Sequence, residues 1–270
     1  MPKIAKITTQ KKKKNRYNIF LENAGGEKYG FSVDEDILVN YHLHKGMDLD
    51  AETIEQLVER DTVHKSFTLA INYLSYRMRS EKEIRKYLDD KEVEPEQIDE
   101  VVDRLYEQKL LDDMEFAKAL VRTRINTSSK GPFMVKKDLI EKGVAASTAE
   151  EALTFYTFDK QYEKAMKFAE KKMRHGGRKS YRQQIQNLQQ TLMQKGFKND
   201  VIQEVVANLE SDQGEDEEWQ AVVYQGEKIL QKYARKAEGY ELKHKVKGAL
   251  YRKGFDFDAI DRFLEEYVES

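Results

Sequence analysis

The amino-acid sequence predicts a mostly α-helical protein, in which tandem three-helix repeats form an elongated array behind a small N-terminal α+β domain. Composition is the first observation. Of the 270 residues, 36% are charged and only 14 are Gly and 3 are Pro, which favours helices with wide solvated faces. The second observation is a β-prone N-terminal stretch that differs from the rest of the chain. The third is an apolar pattern that returns four times after His64.

Residues 1–62 predict a small antiparallel sheet followed by two short helices. Three short β-prone segments are separated by a run of lysines and by an Ala-Gly-Gly turn. The predicted strands are residues 4–9, 16–21 and 28–33, the separators are residues 11–14 and 24–26, and the helices are residues 34–40 and 50–60.

The repeated pattern is centred on four lysines, each followed by Glu or Gly and then by an apolar residue. The lysines are Lys91, Lys142, Lys195 and Lys253, and the residues after them are Glu92, Gly143, Gly196 and Gly254. Apolar residues seven and three positions earlier form the stripe of one helix, and the Gly supplies its left-handed end. Apolar residues seven, ten, eleven and fourteen positions later predict a second amphipathic helix.

Each repeat also has a helix before this pair, marked by Ala70, Ala117, Ala165 and Ala221. Capping boxes are predicted at Ser80 with Glu83, Asp112 with Glu115, and Ser147 with Glu150. We therefore predict three-helix repeats at residues 63–109, 110–157, 158–213 and 214–270, with a joint between the last two in the acidic stretch 212–218. Neighbouring repeats are expected to pack into a quasi-linear, concave array.

The sequence offers no constellation for catalysis, a cofactor or a metal ion. It has no cysteine, which excludes disulfides, thiolate metal sites and cysteine nucleophiles. It also lacks the phosphate-binding, dinucleotide-binding and serine-nucleophile motifs. The histidines have no third ligand at a recognisable spacing, and helix capping explains the adjacent Asp112 and Asp113. No apolar run approaches the roughly 18 residues of a membrane span, and the lack of cysteine suits the cytosol. Because no catalytic groups are recognisable, we also expect that the protein is not an enzyme.

Charge is balanced, with 47 Lys and Arg against 49 Asp and Glu, so contact with an anionic partner requires basic residues gathered on one face. They cluster around the turn between the first two helices of each repeat. These residues are Arg77, Arg79, Arg85 and Lys86; Arg122, Arg124, Lys130, Lys136 and Lys137; Lys171, Lys172, Arg174, Arg178, Lys179 and Arg182; and Arg235, Lys236, Lys243, Lys245 and Lys247. For any one of them, helix-dipole complementation and surface solvation are the favoured explanation. Their recurrence favours a continuous positive track for an extended anion.

Several strings in this sequence resemble the RecX family. Residues 69–83 (LAINYLSYRMRSEKE) resemble the family's first-repeat signature, and residues 110–117 (LLDDMEFA), 130–132 (KGP) and 141–144 (EKGV) resemble its second. The N-terminal extension and the added C-terminal repeats are similar to the long form found in Gram-positive bacteria. Two residues depart from the pattern: Met78 stands where Pro is common, and Glu92 replaces the Gly of the other three copies.

The resemblance implies a cytoplasmic protein that binds the RecA recombinase and lies along the groove of its filament on single-stranded DNA. There it would limit filament growth or promote disassembly, and so modulate, mainly by inhibition, recombination, ATP hydrolysis and the SOS coprotease activity in DNA repair. The alternative is a stand-alone nucleic-acid-binding repeat protein, which would contact DNA directly. A peptide-binding scaffold is a third class, and an enzyme is the least favoured. Separately from the resemblance, we expect a monomer.

Overall fold

The computed structural model describes residues 1–11, 14–23, 25–174, 177–210 and 215–268. The chain begins with an antiparallel sheet in the order β1-β2-β3, as the sequence predicts. Its strands are β1 (Lys3–Thr9), β2 (Arg16–Asn23) and β3 (Gly26–Asp34). Parts of the predicted lysine run and of the Ala-Gly-Gly turn, namely Lys12, Lys13 and Ala24, lie outside the described residues.

Helices account for the remaining elements. They are α1 (Glu35–Asn40), α2 (Ala51–Leu74), α3 (Glu81–Asp89), α4 (Pro95–Glu107), α5 (Asp113–Thr127), α6 (Pro132–Glu141), α7 (Ala146–Leu153), α8 (Phe158–Met173), α9 (Tyr181–Gln194), α10 (Asn199–Glu210), α11 (Glu215–Tyr233), α12 (Gly239–Arg252) and α13 (Phe257–Tyr267). From α2 onward they form tandem groups of three. We call the middle helices α3, α6, α9 and α12 the B helices and the last helices α4, α7, α10 and α13 the C helices.

The chain divides into two compact units. The first contains Met1–Phe116 together with Lys142–Val144, and the second contains Ala117–Glu141 and Ala145–Ser270. In the first unit the sheet has its own core and the helices α2 to α4 have another. In the second unit separate apolar cores lie within α8 to α10 and within α11 to α13. The groups α2 to α4, α8 to α10 and α11 to α13 thus each bury their own apolar stripes.

Helix α2 corrects one prediction, because the helix expected to end near Arg60 continues to Leu74. No Gly or Pro interrupts residues 51–74, so nothing in the backbone stops the helix. Its first half contributes Leu57 to the core of the sheet, and its second half contributes Phe67 to the first three-helix group. The boundary predicted after residue 62 therefore falls inside this helix.

Two of the three predicted helix starts are capped as expected. Ser80 and Glu83 form a reciprocal capping box at α3, and the Asp112 carboxylate accepts from the backbone N–H groups of the second and third residues of α5. The prediction for Ser147 is wrong, because α7 begins at Ala146. Ser147 therefore lies inside the helix, which has no side-chain cap. Its intended partner, Glu150, instead forms an ion pair with Lys136.

A backbone carbonyl that follows a B helix accepts the same kind of hydrogen bond at three places in the chain. The Ser80 hydroxyl before α3 donates to the carbonyl of Lys142 at the end of α6 (2.7 Å). The Gly131 N–H before α6 donates to the Lys195 carbonyl at the end of α9 (2.7 Å). The Ser180 hydroxyl before α9 does the same to Lys253 after α12. Each bond satisfies a helix-terminal carbonyl that lacks a partner within its own helix.

These joints explain why Gly follows three of the four reference lysines. Gly143, Gly196 and Gly254 have φ of +87°, +82° and +84°, which side chains adopt only with strain. A Cβ at Gly196 would lie 2.7 Å from the backbone N of Met134 in the neighbouring repeat. Glu92 also has positive φ, +60°, but it is exposed and no repeat precedes it in the sequence. The first copy therefore tolerates a side chain where the others cannot.

Candidate functional site

Two of the four basic residues predicted in the first repeat are held by carboxylates of that repeat. The Arg77 guanidinium donates to both carboxylate oxygens of Glu83 at 2.9 and 3.1 Å. Arg85 bridges α3 and α4, because it contacts Glu81 at 2.6 Å and Asp99 at 2.5 Å. These positive charges are therefore compensated before any partner arrives.

The two other basic residues of this group differ from each other. The Arg79 guanidinium lies 3.9 Å from the centre of the Tyr73 ring, and its Nε is buried without a hydrogen-bond partner. Tyr73 in turn stacks on Tyr87 of α3 with ring centres 4.0 Å apart. Lys86 is exposed and has no ion-pair partner within the described ranges. Of the four, Lys86 is the one that projects an uncompensated charge into solvent.

The second repeat compensates its charges in the same way. Asp138 on α6 accepts from Arg124 at 2.8 Å and from Lys130 at 2.7 Å. Burial acts to raise the pKa of Asp138, but the hydrogen bonds and charges of Lys130 and Arg124 outweigh it and lower that pKa. The three remaining basic residues also have contacts: Lys136 pairs with Glu150 at 2.6 Å, Lys137 lies 3.9 Å from Glu141, and Arg122 lies over the Phe155 ring at 5.6 Å.

One ion pair recurs between the B and C helices at the same two positions of three repeats. The base lies six residues before the reference lysine and the acid lies eight after it. The pairs are Arg85 with Asp99, Lys136 with Glu150, and Lys247 with Asp261. The third repeat has Gln189 and Gln203 at these positions. The third repeat therefore lacks a pair that the other three retain.

The third repeat brings four of its predicted residues together. Lys172, Arg174, Arg178 and Lys179 line one open pocket of about 610 Å³ between the end of α8 and the start of α9. The pocket wall is completed by Met173, Gly177, Gln184 and Asn187. Arg182, on the first turn of α9, is exposed. No carboxylate in the described part of the chain pairs with any of the five basic residues. His175 and Gly176, in the same turn, lie outside the described residues.

Lys172 shows how this environment differs from that of the second repeat. Its Nζ donates to the backbone carbonyl of Asn187 and to the Thr191 hydroxyl. Thr191 lies four residues before its reference lysine, the position that Asp138 occupies in the second repeat. Burial lowers the pKa of Lys172, and the nearby charges of Lys179 and Lys195 lower it further. Lys172 thus faces other cations where Arg124 and Lys130 face a carboxylate.

Two further basic side chains lie near residues of this pocket. The Lys195 ammonium donates to Ser129 Oγ and lies 4.6 Å from the centre of the Phe168 ring. Arg178 and Lys228 lie 5.0 and 4.3 Å from the centre of the same Tyr224 ring. We call Lys195, Lys172, Lys179, Arg178 and Lys228 the basic row. Lys195 and Lys228 were not among the residues predicted from the sequence.

A count by repeat would have found this region. Residues 158–213 hold 11 Lys and Arg and 7 Asp and Glu, a net charge of +4, whereas the corresponding net charges are −2 for residues 63–109, 0 for 110–157 and −3 for 214–270. Between Lys171 and Lys198 the chain has eight basic residues and no acidic one. In the fourth repeat, Lys245 pairs with Glu241 and Lys247 with Asp261.

Within the described residues, one group brings three potential metal ligands together. Asp34, Asp36 and His64 have ligand atoms within 4.8 Å of one another. Asp34 accepts the cap hydrogen bond of the six-residue helix α1, and His64 Nε2 lies 3.3 Å from it. Capping and a histidine–carboxylate contact account for this arrangement. None of the helices in the described part of the chain combines the length and apolar character needed to cross a lipid bilayer.

Comparison with protein families assigns most of the chain. The models described as the regulatory protein RecX N-terminal domain and the first, second and third RecX three-helix domains match residues 2–50, 67–105, 112–153, and both 159–206 and 215–264. The chain is a member of the RecX family. Curated relatives called regulatory protein RecX include one from Oceanobacillus iheyensis, 49% identical over the full length of both chains, and one from Halalkalibacterium halodurans, 45% identical over 97% of this chain and 99% of the relative.

Solved RecX structures support the same fold. A crystal structure of regulatory protein RecX superposes with a TM-score of 0.69 at 37% identity and covers 76% of this chain and 98% of that one. RecX from Lactobacillus salivarius gives 0.55 at 36% identity and covers 56% and 98%. The third-domain model of the family matches two successive helix groups, so α8 to α10 and α11 to α13 are two copies of one domain type. The RecX family is one of regulators rather than enzymes.

Proposed function

We propose that this protein is a cytoplasmic monomer that binds RecA and its filament on single-stranded DNA. Binding would mainly inhibit the recombinase, ATPase and SOS coprotease activities in DNA repair and recombination. Family membership over nearly the whole chain supports this proposal. The single structural observation that carries it is the basic row, because a recombinase filament on DNA is an extended anionic target.

The repeat architecture suits a filament for a geometric reason. A filament presents the same surface at regular intervals, and tandem domains present similar surfaces at regular intervals in turn. Within the second unit, the hydrogen bonds of Gly131 and Ser180 join α6, α9 and α12 and so fix the spacing of those helices. Because the repeats belong to one chain, several weak contacts with successive protomers would together give tight binding, without any single tight contact.

The direct test is RecA ATPase activity on single-stranded DNA with increasing amounts of this protein. We expect the rate to fall to a low plateau as the protein approaches stoichiometry with RecA. The matched control is the same titration with RecA filaments formed before addition, which separates blocked growth from induced disassembly. An ATPase rate that stays constant through a large excess of folded protein would refute the proposal.

The ion pairs decide which substitutions can test binding. Reversal of Arg124, Lys136 and Lys137 to Glu is the natural choice from the sequence. In the structure, Arg124 and Lys136 each hold a carboxylate of their own repeat. Their reversal would place carboxylates against carboxylates, so it would perturb the helix packing as well as any binding surface. Neutral substitutions in the basic row avoid this confusion.

A stand-alone nucleic-acid-binding protein is the second candidate, and it is favoured because no carboxylate among the described residues pairs with the basic row. The two functions differ in their requirement for RecA. A stand-alone binder would protect single-stranded DNA from a nuclease without RecA, whereas a filament regulator would act at concentrations where it leaves naked DNA unprotected.

A further inference from the structure

We propose that the basic row of the third repeat is a binding site for the phosphodiester backbone of a nucleic-acid strand. It deepens the proposed function by assigning DNA contact to one repeat, and its test requires no RecA. The observation that carries it is the juxtaposition of five cationic side chains with no carboxylate paired to any of them among the described residues.

At three positions the third repeat has an uncharged residue where other repeats have a charged one. Thr191 replaces the acid that Asp138 provides in the second repeat. Gln189 and Gln203 replace the ion pair that joins the B and C helices elsewhere. Like charges held close together disfavour the folded state unless a counter-charge arrives. The protein holds these cations near one another without a paired carboxylate among the described residues. We therefore expect a bound ligand to supply the compensating negative charge.

The form of the row fits a linear polyanion better than a single ion. Its members come from the end of α8, the following turn, the end of α9, and α11. Lys172 lies close enough to Lys179 and Lys195 for their charges to lower its pKa, and Arg178 and Lys228 share the Tyr224 ring. A strand could place successive phosphates against cations that come from separate segments of the chain.

The remaining lining groups suit phosphate rather than base recognition. Gln184 and Asn187 line the pocket, and each side-chain amide already donates one hydrogen bond to a backbone carbonyl, so the lysines and arginines are the main donors to phosphate oxygens. The Tyr224 ring already has two cations within 5.0 Å of its centre, which disfavours base stacking on it. The site is therefore expected to bind without sequence preference and with a strong dependence on salt.

The test measures binding of the full-length protein to a fluorescent oligothymidylate without RecA, across a series of salt concentrations. The variant carries Lys172→Gln, Arg178→Gln and Lys179→Gln, and the charge-matched control carries Lys28→Gln, Lys45→Gln and Lys109→Gln, three exposed lysines of the first unit. For the wild-type protein we expect log affinity against log salt to fall with a slope of about −3. The row variant should be shallower by about 2 and bind at least roughly tenfold more weakly at low salt, and the control should match the wild type.

Circular dichroism establishes that each variant is folded, and Lys172→Arg with Lys179→Arg provides a second variant that should restore binding. A row variant with the wild-type slope would overturn the proposal. A polyglutamate peptide that binds the row as tightly as the oligothymidylate would also overturn it, because the ligand would then be an acidic protein segment. The ATPase titration is separate: a wild-type protein that binds oligothymidylate through the row but leaves RecA unaffected would support this site and refute the proposed function.

Discussion

The first and third repeats share one helix plan but differ in two respects. In the first repeat, Arg77 and Arg85 are paired with carboxylates, and the B helix ends in the exposed Glu92. In the third, the basic residues face one another, and the B helix ends in Gly196, pressed against the neighbouring repeat. The comparison shows that basic residues around the same turn can have two different roles. In the first repeat they stabilise their own repeat, whereas in the third they remain open to a ligand.

The largest effect should come from Gly196→Ala. The new Cβ would lie 2.7 Å from the Met134 backbone N, and Ala would be strained at a φ of +82°. We expect a loss of about 2–4 kcal/mol in the free energy of unfolding, measured by urea denaturation. The matched variant is Glu92→Gly, at the same position of the first repeat, which should change stability by less than about 1 kcal/mol. Equal losses of stability at the two positions would show that Gly196 is no more constrained by the neighbouring repeat than the exposed Glu92 is.

Glu83→Gln should have the next largest effect. Burial acts to raise the pKa of Glu83, but hydrogen bonds from Arg77 and Lys142 lower it from 4.5 to about 2. A depressed folded-state pKa adds stability above pH 4.5 that is lost as the pH falls through 2. We expect the variant to be less stable by about 1–2 kcal/mol at pH 7 and the difference to vanish near pH 2. A pH-independent difference in denaturation midpoint would show that charge is not the cause.

Thr191→Asp would give the third repeat the carboxylate of the second. The new acid would lie beside Lys172, whose Nζ already donates to Thr191. We expect affinity for single-stranded DNA at low salt to fall about tenfold, equivalent to ~1.4 kcal/mol, because a phosphate would compete with an internal anion. Thr191→Asn is the uncharged control and should bind as the wild type does. Undiminished binding by the Asp variant would place the DNA contact elsewhere.

The smallest effect is expected from the double variant Gln189→Lys with Gln203→Glu. It would restore the ion pair that the other repeats have between their B and C helices. Exposed pairs of this kind contribute about 0.2–1 kcal/mol, and we expect a gain in that range in thermal or urea denaturation. The gain should disappear in high salt. A gain that survives high salt would indicate packing rather than charge.

The helix pattern could be predicted from the sequence because burial imposes it directly. Apolar residues before and after each reference lysine made the B and C helices visible, and Ser80 with Glu83 marked a helix start correctly. Ser147 failed because a capping motif in the sequence does not reveal where the preceding turn ends. The continuity of α2 was missed because a change in composition near residue 62 resembled a boundary although no helix breaker was present.

The candidate site was only partly visible. Arg178 and Lys179 were identified as basic residues, but so were Arg85 and Lys136, which the structure shows in ion pairs. The two members of such an ion pair are fourteen residues apart and lie on different helices. The pairing can be recognised in the sequence only after the repeats are aligned. Lys228 could not be foreseen, because its neighbour Tyr224 meets Arg178 only through packing of α11 beside the turn.

The division of labour between repeats can be measured residue by residue. Amide NMR signals, or hydrogen exchange read by mass spectrometry, would be recorded with and without oligothymidylate at low salt. We predict changes concentrated around Lys172, Lys179 and Lys195, with the region of Arg77 and Arg85 unaffected. Changes centred on the first repeat, or spread evenly over all basic turns, would contradict the assignment of nucleic-acid contact to the third repeat.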